Sequence, residues 1–274
     1  MTLFDLPEDQ ATASPVRDAR DSVRVRLVVA YDGSGFHGFA VNRGVRTVGG
    51  LLTEALQTVL GHPVEITCAG RTDKGVHARA QVVTFDAAAG RVDPVALGKS
   101  LNALCGPDVA ALVADDFDAR FSATARRYRY RVLNRPAPDP FRSRYAWHVD
   151  EELSWPALVL ACDALIGEHD FSAFCRRPKR RDGEEASLVR RVVSAEWERA
   201  GDDELRFEIE ASSFCHQMVR SVVGLLVDVG RGRRHAGEVL GIIRSGDRSR
   251  TGNLAPPQGL TLWTVRYPGW DSGP

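Results

Sequence analysis

Long hydrophobic runs are missing from this 274-residue chain. No segment approaches the ~18 consecutive apolar residues that a membrane-spanning helix needs, and the first residues lack the apolar core of a secretory signal peptide. Net charge is missing too, because 36 Lys and Arg residues balance 36 Asp and Glu residues. A neutral chain is not expected to bind nucleic acid through its overall charge. The composition therefore predicts a protein with no membrane span, in which local basic segments make any contact with nucleic acid.

Cysteine is sparse, and its spacing fits neither a disulfide framework nor a zinc site. The five cysteines include no CxxC pair, and the seven histidines form no HxxxH or HExxH pattern. No GxGxxG motif for a nucleotide is present. The neighbours Cys215 and His216 would point about 100° apart on a helix, so a shared metal or catalytic role is not expected. We therefore expect reduced thiols, a cytoplasmic location, and no metal or nucleotide cofactor.

Local patterns predict an α+β fold with a mainly antiparallel sheet. Residues 23–29 alternate in the manner of a half-buried strand, and Thr47 can cap a helix over Val48–Leu60. Residues 214–229 have the amphipathic period of a helix. The expected organisation has four parts: a disordered acidic leader (1–22), an N-terminal α+β half (23–135), a C-terminal α+β half (136–267) and a tail (268–274).

One polar segment, residues 70–77 (GRTDKGVH), combines a single carboxylate with several cations between two glycines. Asp73 lies there among Arg71, Lys74 and His77. The glycines permit unusual backbone angles and the close approach of a ligand. An ionised aspartate in such a loop could act as a nucleophile, or the segment could be an ordinary solvated turn.

Two basic segments and one helical arginine are further candidates. In residues 126–131 (RRYRYR), strand alternation places Tyr128 and Tyr130 on one face and arginines on the other. That arrangement suits contact with RNA, but also an inward aromatic face with a solvated outward face. Residues 176–181 (RRPKRR) form either a polyanion-binding loop or a solvated run of charge. Arg220 leaves the main apolar stripe of its helix and could be a buried charge that needs a carboxylate partner.

The order of these segments resembles that of the tRNA pseudouridine synthase A family. Residues 70–77, followed by Gln81-Val82-Val83, resemble the catalytic motif of that family. Residues 31–36 resemble its first loop. Three further segments match in family order: residues 117–130, 169–174 and 214–220. The resemblance extends from residue 23 to residue 267, and chance does not produce so many matches in order.

The resemblance implies an α+β pseudouridine synthase fold, with two similar halves and a central cleft. It implies an enzyme that isomerises uridine to pseudouridine at positions 38, 39 and 40 of the tRNA anticodon stem-loop, without a cofactor and as a homodimer. Asp73 would be the catalytic nucleophile on a flipped-out base, and Tyr128, Arg71 and Arg220 would bind the substrate. The implied RNA-binding residues are Phe117, Asp118, Ala119, Arg120, Phe121, Arg176, Arg177, Lys179 and Arg180.

Two other functional classes remain open at this point. A non-catalytic RNA-binding protein or RNA chaperone would need the basic segments but not Asp73. A retaining glycosidase-type hydrolase would need a second carboxylate, such as Asp86, ~5 Å from Asp73.

Overall fold

The protein is represented by a computed structural model, which describes residues 22–88, 92–114, 119–120, 122–176 and 187–273. The expected acidic leader therefore lies outside the described residues, except for Ser22. Six of the expected RNA-binding residues also lie outside them: Phe117, Asp118, Phe121, Arg177, Lys179 and Arg180.

A mostly antiparallel sheet of 11 strands forms the centre of the molecule. Its main path runs β4-β1-β3-β10-β5-β9-β8-β7, while β2 pairs with β3, β6 with β5 and β11 with β10. The strands are β1 (Ser22–Tyr31), β2 (Thr67–Cys68), β3 (His77–Ala88), β4 (Val109–Ala114), β5 (Ala125–Asn134), β6 (Trp147–Val149), β7 (Gly167–Asp170), β8 (Val189–Arg199), β9 (Glu204–Ala211), β10 (Leu260–Tyr267) and β11 (Trp270–Asp271).

Five α-helices accompany the sheet within the described ranges. They are α1 (Val48–Leu60), α2 (Pro94–Cys105), α3 (Trp155–Cys162), α4 (Met218–Gly230) and α5 (Glu238–Ser245). The first helix begins where the sequence predicts, because the Thr47 side chain accepts a hydrogen bond from Gly50 N. The predicted α+β class is confirmed. None of the helices that the structure describes is long and apolar enough to cross a membrane.

Strand β10 joins the part of the sheet that contains β4, β1 and β3 to the part that contains β5, β9, β8 and β7. It pairs in parallel with the start of β3, where Thr261 lies opposite His77, and antiparallel with β5. Strand β5, which the expected boundary at residue 135 assigns to the first half, lies between β10 and β9; the division at 135 stays a prediction. Since β3 begins at His77, the polar segment 70–77 ends where strands from the two ends of the chain meet.

The outward arginines of β5 are paired with glutamates of β9 rather than left free. Tyr128 and Tyr130 are buried on the inward face, as the alternation predicts. The acids missing from the sequence segment come from the neighbouring strand, so these arginines form neither an open phosphate-binding face nor a simply solvated one. The pairs are Arg127 Nη2–Glu210 Oε2 (2.7 Å), Arg129 Nε–Glu208 Oε1 (2.6 Å) and Arg131 Nη2–Glu204 Oε2 (2.7 Å).

Candidate active site

The segment that carries Asp73 connects β2 to β3 and is held by the loop that follows β1. Phe39 N donates a hydrogen bond to Thr72 O at 3.1 Å. The Tyr31 hydroxyl and Thr72 Oγ1 share a buried hydrogen bond of 2.8 Å. The end of β1 and the loop after it, which the sequence singles out only by resemblance, thus fix the backbone beside the candidate nucleophile.

Two glycines let these loops pack closely. Gly75 has a φ of +77°, a conformation that side chains disfavour, so one of the two bracketing glycines has the unusual angle that the sequence predicts. The backbone of Gly33 lies in close contact with the backbone of Val76 in the catalytic segment. A Cβ built on Gly33 would lie 2.0 Å from Val76 O. Only glycine therefore fits at position 33 without displacement of one loop.

Gly33→Ala is expected to lower the free energy of unfolding by about 1–3 kcal/mol, the usual range for overpacking. Gly241→Ala is the matched control, because a Cβ on Gly241, in α5, meets nothing within 4 Å. In an exposed helix that change should stabilise by roughly 0.5–1 kcal/mol. Urea unfolding of both variants measures the difference. Equal stabilities would show that the two loops are not packed as described.

The Asp73 carboxylate has a side-chain partner on each oxygen. Its Oδ2 lies 3.4 Å from Arg220 Nη1, and its Oδ1 lies 3.2 Å from His216 Nε2. Arg220 also donates from Nε to Ala255 O at 2.8 Å, which orients its guanidinium towards the carboxylate. The charge on α4 that the sequence leaves without a partner is partly buried and lies beside Asp73.

Tyr128 lies in the same cleft, packed edge-on against Phe214 with ring centroids 5.0 Å apart. Its hydroxyl lies beside Gly70, where a Cβ would be 3.7 Å from it. Burial raises the pKa of the Tyr128 phenol well above its usual range, and the negative charge of Asp73 raises it further. The hydroxyl therefore keeps its proton near neutral pH and can donate it.

The cleft around these residues has a volume of about 1300 Å³. That exceeds the ~300–1,000 Å³ typical of pockets for small molecules and suits a larger substrate. Asp73 is the only carboxylate among the described residues that line it. Six cationic side chains line it as well: Arg71, Lys74, Arg120, Arg126, Arg190 and Arg220. The charge and size fit a polyanion that presents one group to a single carboxylate.

The second carboxylate that a retaining hydrolase requires is not placed in this cleft. Asp86 accepts hydrogen bonds from Arg24 Nε at 2.8 Å and Nη2 at 3.0 Å, across the β1–β3 pair. These bonds lower the pKa of Asp86. Asp86 does not line the cleft, so it cannot act with Asp73 on one sugar ring, and the interpretation as a hydrolase is wrong in this form.

Arg126 is a site residue whose role the sequence reasoning missed. It is buried, and it fastens the residue before the catalytic segment to two other loops. The signal was present, because positions 126, 128 and 130 share the inward face of β5. Its guanidinium donates, at 2.7–3.2 Å, to the backbone carbonyls of Ala69, Arg120, Ala123 and Ser212.

His216 was set aside in the sequence on the assumption of a helix, and that assumption is wrong at this position. Helix α4 begins at Met218, four residues after the predicted start. The preceding residue, Gln217, has a left-handed backbone with a φ of 67°. The angle of 100° between helical neighbours therefore does not apply, and His216 contacts Asp73.

Cysteine pairing also departs from the expectation of reduced thiols throughout. Cys175 and Cys215 form a disulfide, with Cα atoms 5.7 Å apart, whereas Cys68, Cys105 and Cys162 are free. A Cα separation of this size is typical of disulfides. Within the described segments, no group of three or more His, Cys, Asp or Glu side chains could hold a metal ion.

The remaining expected site residues have different surroundings. Arg71 and Arg120 line the cleft together with Asp73, Tyr128 and Arg220. Arg176 is exposed, and its backbone N donates to His216 O at 3.0 Å. Ala119 is fully buried, and its carbonyl accepts from the Tyr267 hydroxyl at 2.7 Å. Its expected contact with RNA stays a prediction.

Comparison with known proteins identifies the family of this chain. A family model described as tRNA pseudouridine synthase matches residues 27–123 and 161–268, which include Asp73 and Arg220. The tRNA pseudouridine synthase A of Methylobacterium sp. (strain 4-46) is 43% identical over 251 residues, covering 89% of this chain and 98% of the relative. That of Myxococcus xanthus is 40% identical over 249 residues, covering 89% and 92%. The chain therefore belongs to the tRNA pseudouridine synthase family.

Proposed function

We propose that this protein isomerises uridine to pseudouridine at positions 38, 39 and 40 of the anticodon stem-loop of tRNA, with Asp73 as the nucleophile. One observation carries the proposal: the single carboxylate among the described residues of a cationic cleft lies between Arg220 and His216, and Tyr128 lines the same cleft. Family membership supports tRNA as the substrate.

The reaction is a rearrangement in which atoms and electrons balance within the substrate. The N1–C1′ bond breaks, the uracil turns, and a C5–C1′ bond forms. The hydrogen on C5 leaves as a proton, and N1 gains one. Because nothing is oxidised or reduced, a carboxylate nucleophile and a proton-transferring group are sufficient. Attack of Asp73 at C6 of the base and attack at C1′ of the sugar both satisfy this balance.

The other cleft residues have distinct proposed roles. A uridine stacked in a stem has to be flipped out before a carboxylate can reach it. Arg71, exposed at the cleft, displaces or replaces the flipped base. Tyr128 contacts the base and takes part in proton transfer at C5. Arg220 pairs with the carboxylate of Asp73 and orients it.

Binding of tRNA rests on cations at the cleft and beside it. Arg120 and Arg176 hold the RNA backbone in this proposal, because guanidinium groups match phosphate oxygens. The protein acts as a homodimer in which one tRNA touches both subunits, and it works in the cytoplasm, where tRNA is modified. The dimer rests on the family resemblance, and the cytoplasmic location rests on the sparse cysteines and the missing secretory signal. Analytical ultracentrifugation tests the dimer: a species of one chain mass at micromolar concentration contradicts it.

The direct test of the proposed activity is tritium release from whole tRNA that carries C5-labelled uridine. Formation of the C5–C1′ bond displaces the label into water, whereas binding alone displaces none. We expect release that depends on enzyme and on tRNA. A protein that binds tRNA but releases no tritium from any tRNA would be a non-catalytic RNA-binding protein.

Lys74→Ser is expected to weaken tRNA binding and to make its dependence on salt shallower. Loss of one phosphate contact should change the log–log salt slope by about 0.7–0.9. Lys99→Ser is the matched control, because Lys99 is exposed on α2 and does not line the cleft. Filter binding from low to high salt measures both slopes. An unchanged slope for Lys74→Ser would show that this lysine does not contact RNA.

A further inference from the structure

His216 holds one oxygen of the candidate nucleophile, a role that neither sequence pattern nor family resemblance assigns to it. We propose that His216 is a positioning residue that fixes the plane of the Asp73 carboxylate together with Arg220, and that the left-handed backbone of Gln217 aims it there. The proposal rests on the proposed function, in which Asp73 is the nucleophile.

The Asp73 carboxylate is contacted on both of its oxygens. The terminal torsion of an aspartate is broad, so a partner on one oxygen leaves the carboxylate free to turn. Arg220 contacts Oδ2, at 3.4 Å, and His216 contacts Oδ1, at 3.2 Å. Contacts on both oxygens, from different directions, define the plane of the group. A nucleophile misplaced by about 1 Å loses on the order of 100-fold in rate, so this control matters for the reaction.

Hydrogen bonds hold the main chain around His216. His216 O accepts from Arg176 N at 3.0 Å, and Cys215 O accepts from Met218 N at 3.1 Å. The main chain on both sides of the imidazole is therefore fixed, although the side chain itself is 47% exposed to the cleft.

Gln217 is the only non-glycine residue with a positive φ in the described part of the chain. Its left-handed backbone ends the loop and starts α4 immediately afterwards. Its side chain accepts a hydrogen bond from Arg248 Nη2 at 2.7 Å, which holds this disfavoured conformation. Such conformations persist where the surroundings fix them, and they are frequent at functional sites. This backbone sends His216 towards Asp73, while Arg220 leaves the first turn of the helix towards the same group.

His216→Ala and His216→Gln test the positioning role. We expect His216→Ala to lower kcat for tritium release by about 10–100-fold, with KM for tRNA within about threefold of wild type. A glutamine amide nitrogen can occupy the place of Nε2, so His216→Gln should recover kcat to within about fivefold. His235→Ala is the matched control, because His235 is an exposed histidine that does not line the cleft.

The outcomes separate this inference from the proposed function. Wild-type kcat in His216→Ala overturns the positioning role, and so does a defect confined to KM, which would make His216 an RNA contact. If Asp73→Asn remains active, the proposed nucleophile itself fails. If Asp73→Asn is inactive while His216→Ala is fully active, only the positioning role fails.

Gln217→Gly and Gln217→Val test whether the left-handed backbone at position 217 directs His216 towards Asp73. Glycine adopts a positive φ readily, whereas a β-branched residue does not. We expect Gln217→Gly to keep kcat within about fivefold, and Gln217→Val to lose about as much kcat as His216→Ala with KM retained. Wild-type kcat in Gln217→Val would overturn the role of the left-handed backbone. If Gln217→Val does not fold, the comparison of His216→Ala with His216→Gln still decides the role of His216.

Discussion

Tritium release from C5-labelled tRNA should fall below detection in Asp73→Asn, while tRNA affinity stays within roughly a few fold of wild type. Asparagine keeps the size of the side chain but removes the negative charge and the nucleophile, and Asp73 is the only carboxylate among the described residues that line the cleft. Phosphate contacts supply most of the affinity for RNA, so binding should survive. Release and filter binding, measured on the same preparation, provide the comparison.

Asp86→Asn is the matched control for this change. Asp86 lies outside the cleft in a largely exposed ion pair with Arg24, so its loss should cost no more than about 1 kcal/mol in stability and nothing in turnover. Turnover of Asp73→Asn above ~1% of wild type would mean that another residue performs the chemistry.

Tyr128→Phe is expected to reduce the rate by about 10²–10⁴-fold, the usual contribution of a positioned proton-transferring group, with little loss of tRNA affinity. The change keeps the ring and its edge-on packing against Phe214 but deletes the hydroxyl. Burial keeps the pKa of this phenol high, so the hydroxyl is protonated near neutral pH and takes the C5 proton only as it passes its own proton to an acceptor. Tyr128→Leu should lose a further ~1–3 kcal/mol, because the stacking surface for the base is gone.

Tyr130→Phe is the control for Tyr128→Phe, because both tyrosines are buried on the same face of β5. The Tyr130 hydroxyl donates to Pro256 O at 2.7 Å, and Tyr130 does not line the cleft. Its loss should lower stability by about 1 kcal/mol and leave turnover unchanged. Wild-type turnover in Tyr128→Phe would refute the role in proton transfer, and wild-type turnover in Tyr128→Leu would remove Tyr128 from the active site.

Strand β5 illustrates how far the sequence predicts this fold. Alternation alone places Tyr128 and Tyr130 inward, and the structure confirms it. The partners of the outward arginines could not be predicted in the same way, because they lie on β9, more than 70 residues away along the chain. Pairing register between distant strands is not contained in either local pattern. Neither interpretation of the arginine face therefore includes these glutamate partners.

The candidate site was likewise predictable from the sequence only in part. The helical pattern predicts that the charge of Arg220 needs a carboxylate partner, but it does not identify Asp73 as that partner. The contact of His216 with Asp73 could not be predicted at all, because the amphipathic period continues through residues that are not helical. Glutamine rarely adopts a positive φ, so the residue type at position 217 does not predict the left-handed backbone found there.

Nucleotide-by-nucleotide mapping of pseudouridine tests the proposed activity most directly. Unmodified tRNA with uridine at positions 38, 39 and 40 is incubated with the wild-type protein and, in parallel, with Asp73→Asn. We predict pseudouridine at those positions with the wild-type protein, no free uracil, and no pseudouridine with Asp73→Asn. Pseudouridine only at other positions, release of free uracil, or the same pattern from both proteins would contradict an isomerisation of the anticodon stem-loop by Asp73.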